Sequence, residues 1–94
     1  SAELEMALYE YRDAERKIIL YKDSLLPKAE QSLNSIQQAF ATAKSDYLDV
    51  IDALRTLLEF KLSYEKALVN RAKSLAMIEM LVGNISDYTA KDRN

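Results

Sequence analysis

Apolar and small residues recur at Leu4, Leu8, Tyr11, Ala14, Ile18, Tyr21, Leu25, Ala29, Leu33, Ile36 and Phe40, in steps of three and four. That period marks one face of a helix, here about ten turns long. Between these positions lie Arg12, Asp13, Arg16, Lys17, Lys22, Asp23, Glu30 and Gln31, so the other faces are solvated, and Asp13 and Lys17 form a favourable i,i+4 pair. Pro27 removes a backbone donor and crowds the preceding turn, which predicts an irregularity near Ser24 to Leu26. The stripe keeps its phase through the proline, so the expectation is one bent helix and not two.

A second stripe runs through Ile51, Leu54, Leu58 and Leu62 and continues less regularly through Leu68, Leu75, Ile78 and Val82. Ser45 or Asp46 is placed to cap its first free amides. Gly83 reads as a left-handed C-terminal cap, and Asn84 to Asn94 as a polar, aperiodic tail. The predicted hairpin occupies about residues 1–83: arm one about 3–43, a tip at about 43–46 and arm two about 46–83. A connection this short forces the arms antiparallel, and at about 1.5 Å per residue the rod is roughly 55 to 60 Å long. The fold class is therefore all-α, a long antiparallel two-helix coiled coil. Leu57, Phe60, Met77 and Met80 read as apolar surface beyond the seam, predicting that excised hairpins dimerise into a four-helix assembly.

Composition reinforces this. With 94 residues, one Gly and one Pro, the chain has little room for loops and buries too little surface to enclose a large active site. Thirteen basic and fifteen acidic residues alternate in sign, leaving no basic face for nucleic acid. Cysteine and histidine are absent and no glycine-rich phosphate loop occurs, so an enzyme, a resident metal site and a cofactor are not expected. Bundle carboxylate metal sites need Glu-x-x-His pairs, and here the Glu residues are scattered. No apolar run approaches the roughly 20 residues of a membrane helix, and the Ser1-Ala2 start without a leader suits a segment cut from a longer protein.

Asp49-Val50-Ile51-Asp52-Ala53 is the candidate chemistry: two carboxylates three residues apart near the midpoint of the chain. On residues alone they read as anions in the first two turns of the second helix, favoured there by the helix dipole, with Asp52 able to pair with Arg55. Tyr9, Tyr11, Tyr21, Tyr47, Tyr64 and Tyr88 read as seam or surface aromatics.

The run Phe40-Ala41-Thr42-Ala43-Lys44-Ser45-Asp46-Tyr47-Leu48-Asp49-Val50-Ile51-Asp52-Ala53-Leu54-Arg55-Thr56-Leu57-Leu58-Glu59 resembles the periplasmic tip of the TolC-like outer membrane efflux protein family. Leu25-Leu26-Pro27-Lys28-Ala29-Glu30 and Leu81-Val82-Gly83 extend the resemblance over residues 9–83. It implies a segment of a larger α-helical barrel built by three protomers, lying in the periplasm of a Gram-negative bacterium and reaching the outer membrane only through parts outside this chain. A second, paralogous hairpin and the membrane strands would also lie outside it. Asp49 and Asp52 would ring the pore entrance. Phe40, Ala43, Lys44, Ser45 and Asp46 would form the tip that docks a membrane-fusion adaptor, joined to an inner-membrane pump, and that links neighbouring hairpins. Ala43 departs from the family, which usually has Gly there, and Gly permits the positive φ that Ala resists. The cargo, metal ion or drug, is not written in the hairpin. The alternative is a generic coiled-coil oligomerisation or scaffold module, with the aspartates serving only as capping charges.

Overall fold

A computed structural model describes residues 1–92 as a single hairpin, all helix apart from its connector. Arm one comprises α1 (Ala2–Leu20), a π-helical stretch (Tyr21–Leu25) and α2 (Leu26–Ala41); arm two is one continuous helix, α3 (Tyr47–Asp92). The molecule measures 78 × 17 × 15 Å, with a radius of gyration of 21.2 Å. A compact domain of this length would have about 12 Å, so every residue lies near the surface and only a seam is dry. Among the described residues no helix is long and apolar enough to cross a membrane.

The predicted irregularity in arm one is a widened turn. The amide of Leu26 donates to the carbonyl of Tyr21, five residues back, immediately before Pro27, which has no amide to give to Asp23. Up to Leu25 the seam follows a strict three-four alternation: Leu4, Ala7, Tyr11, Ala14, Ile18, Tyr21, Leu25. Beyond it the steps are four and four, to Ala29 and Leu33. The wide turn absorbs that extra residue, so one face stays on the partner along the whole arm. Tyr21 packs edge-on against Phe60 of α3 at this point, with ring centroids 5.8 Å apart and planes at 64°. Asp13 pairs as expected with Lys17, at 2.9 Å, and more loosely with Arg16, at 3.7 Å.

On α3 the seam only partly follows the stripe expected from hydrophobicity: Ile78 lies in it, and Ile51 and Leu68 are half-buried at its edge. Buried or half-buried positions run Val50, Ala53, Leu57, Phe60, Tyr64, Ala67, Arg71, Ser74, Ile78 and Leu81, an unbroken heptad alternation. Leu54, Leu58, Leu62, Leu75 and Val82 instead face outward, Leu62 being 71% exposed and Leu58 51%. The roles expected of Leu57 and Leu58 are thus exchanged. Small residues explain the choice: Ala7, Ala14, Ala29, Ala67 and Ser74 are among the most buried side chains, and they let two backbones approach more closely than leucine would.

Gly83 does not cap the helix. It has no positive φ, and α3 passes through it to Asp92, making the rod longer than expected. A glycine inside a helix costs only about 1 kcal/mol, which by itself does not end a helix 46 residues long. From Val82 through Lys91 every residue is exposed, so these turns extend beyond the packed seam. Arg93 and Asn94, the end of the expected polar tail, lie outside the described residues.

Candidate functional site at the hairpin tip

The turn is made by two interlocked caps. α2 ends at Ala41; Ala43 then takes φ 60°, its amide donating to the Phe40 carbonyl at 3.1 Å while the Lys44 amide reaches the Ala39 carbonyl at 2.8 Å. This pair of bonds is a Schellman motif, which normally places glycine where Ala43 stands. The departure noted in the sequence is therefore a strained position, and it is the positive-φ residue among those described. The Thr42 hydroxyl adds a bond to the Ala39 carbonyl at 3.2 Å.

The second cap starts α3. Asp46 Oδ1 accepts the amide of Asp49 at 3.1 Å, and Asp49 Oδ2 reaches back to accept the amide of Asp46 at 3.2 Å. This is a reciprocal capping box in which aspartate replaces the usual Glu or Gln. The same Oδ2 accepts the Ser45 hydroxyl at 2.8 Å. Of the two residues that sequence allowed as the cap, Asp46 performs it, and Ser45 is half-buried beneath Asp49. Phe40 and Tyr47 close the turn with rings 6.1 Å apart and tilted by 58°.

The two aspartates therefore differ. Asp49 is held by three hydrogen bonds within the turn, whereas Asp52, one turn further on, is exposed and among the described residues has no hydrogen-bond or ion-pair partner. The expected pair with Arg55 does not form. Both aspartates line one shallow groove between the arms, with Ser32, Ile36, Ser45 and Thr56. Of the five predicted tip residues, Lys44 is exposed, Ser45 and Asp46 are spent on the cap, Phe40 is occupied with Tyr47, and Ala43 shapes the backbone. Ser32 and Thr56 escaped the sequence reading because they carry no motif; only the three-dimensional groove brings them beside the aspartates.

The groove belongs to one flank of α3, and that flank is polar from Asp49 through Asp52, Thr56, Glu59, Ser63, Lys66 and Asn70 to Lys73. The opposite flank is mixed: Ile51, Leu54, Leu58, Leu68, Ala72, Leu75 and Val82 share it with Lys61, Glu65 and Glu79.

No family model matches the chain, and no solved structure matches it. It is similar to the cobalt-zinc-cadmium resistance protein CzcC of Cupriavidus metallidurans, with 36% identity over 62 residues. Those residues make up 66% of this chain but 15% of CzcC, so the likeness is between this hairpin and a small part of a much longer protein.

Proposed function

We propose that the chain is the periplasmic hairpin of a trimeric outer membrane efflux channel, forming part of its tunnel wall and gated entrance. The observation that carries the reading is the set of exposed aliphatic side chains on one flank of α3, Leu54, Leu58, Leu75 and Val82, which stand among Lys61, Glu65 and Glu79. In a wall of helices each helix contacts neighbours on both sides, so a helix already packed along one seam needs a further apolar flank. The similarity to a heavy-metal resistance protein supports efflux, and favours a divalent metal cation as the exported cargo. The hairpin itself is passive and not catalytic; a pump and a periplasmic adaptor supply energy and docking, with Lys44 and the Phe40–Tyr47 pair presented at the tip.

Within this reading the two aspartates divide the work. Asp49 shapes the turn, and Asp52 is the carboxylate available to the pore. Threefold repetition would bring three such groups together and concentrate cations at the entrance. The test is single-channel conductance of the parent protein in planar bilayers. Asp52→Ala is expected to relieve block by divalent cations on one side of the bilayer. Unchanged block would remove Asp52 from the entrance.

A further inference from the structure

The polar flank of α3 changes character at its far end. After Lys73 its next positions are Met77 and Met80, one turn apart, and Met6 of α1 faces them across the seam. These are the three methionines of the chain, and all line one open groove at the end of the hairpin opposite the tip, rimmed by Glu3 and Glu10. None is a core residue: Met6 is 57% exposed, Met77 45% and Met80 51%.

We propose that this groove is a binding site for a soft monovalent d¹⁰ cation, Cu(I) or Ag(I), held by the thioethers of Met6, Met77 and Met80. Thioether sulfur is a soft ligand that selects Cu(I)-like ions over hard or borderline divalent cations. An i,i+3 pair on a helix stands about 5 to 6 Å apart at Cβ, and the three rotatable bonds of methionine let both sulfurs turn toward one ion. Met6 completes a triangular sulfur set from the other arm. The Glu3 and Glu10 carboxylates give the groove a negative rim that attracts a cation and offsets its charge, leaving the sulfurs to supply selectivity. Plain apolar packing does not account for the clustering as well, because the remainder of this flank is polar and the exposed apolar residues of the opposite flank are aliphatic. The inference is independent of the channel reading, since the site is complete within one hairpin.

The test is a titration of the 94-residue chain, labelled at the methionine methyl carbons, with silver nitrate in chloride-free buffer, followed by NMR. Expected is a joint shift of all three methyl signals that saturates at one equivalent of Ag(I), with no such shift on adding the diamagnetic divalent ions Zn(II) or Mg(II). Met77→Leu with Met80→Leu keeps side-chain volume and should weaken binding by at least tenfold while helicity by circular dichroism is unchanged; Met6→Leu alone should weaken it less. Three signals moving independently, failure to saturate at one equivalent, no shift at all, or equal Ag(I) affinity in the leucine variants would each overturn the site.

Discussion

Ala43→Gly is a direct probe of the turn. Ala43 sits at φ 60° because the Schellman bonds from its own amide and that of Lys44 require a left-handed residue. For an L-residue with a Cβ that conformation costs about 1–2 kcal/mol. Glycine removes the clash but gives the unfolded chain more freedom, returning roughly 0.4–1 kcal/mol. The balance is a stabilisation of about 1 kcal/mol, or a Tm increase of roughly 4–8 °C for a chain of this size. Thermal melting followed by circular dichroism at 222 nm measures it, at one fixed protein concentration, since association would make Tm concentration-dependent. Ala43→Val, with a β-branched side chain at the same φ, should melt below wild type. A glycine variant melting at or below the wild-type temperature with full helicity would refute the strained Schellman turn.

Three further outcomes follow from the same geometry. Asp49→Ala breaks the capping box and should cost about 1 kcal/mol in urea unfolding, whereas Asp52→Ala forfeits at most a dipole interaction of roughly 0.3 kcal/mol; equal losses would contradict the division between them. Leu57→Ala should destabilise by about 3 kcal/mol, because Leu57 is buried in the seam, while Leu58→Ala should cost under about 0.5 kcal/mol but weaken self-association in sedimentation equilibrium; a reversed order would restore the leucine stripe as the seam. Asp13 lies below the usual carboxylate range, chiefly through its hydrogen bond from Lys17, and Lys17 is raised chiefly by the same bond. The depressed Asp13 contributes stability above its unfolded pKa of about 3.9, lost as pH falls through the lower folded value, and the raised Lys17 contributes below its unfolded pKa of about 10.4, lost as pH rises through the higher folded value. Asp13→Asn should therefore melt slightly below wild type near neutral pH and together with it near pH 2; a gap that persists in acid would show that the pair is not its source.

The antiparallel hairpin, the irregularity at Pro27 and the cap at Ser45–Asp46 were legible because each follows from local chemistry: a repeat of three and four, a missing amide, a short polar side chain before a helix. The seam of α3 was not. Its members include Ala53, Ala67, Arg71 and Ser74, which a count of hydrophobicity passes over in favour of Leu54, Leu58 and Leu62. Close approach of two backbones selects small size, so the most apolar stripe was left for the outside. Gly83 misled for a related reason: glycine permits a left-handed cap without requiring one, and the continuing sequence remained compatible with helix. At the tip, Asp49 and Asp52 look equivalent in sequence, and only the capping bonds separate them. The methionine groove was hidden because Met6 lies some seventy residues from Met77 and Met80 along the chain and meets them only when the arms fold back.

The most direct test of the channel reading is fractionation of the source cells with an antibody raised against this hairpin. The account predicts a band several-fold heavier than the 10.7 kDa chain, in the outer membrane fraction, that migrates as a trimer under native conditions. A soluble protein of about the hairpin's own mass would contradict it and leave a free-standing coiled-coil module.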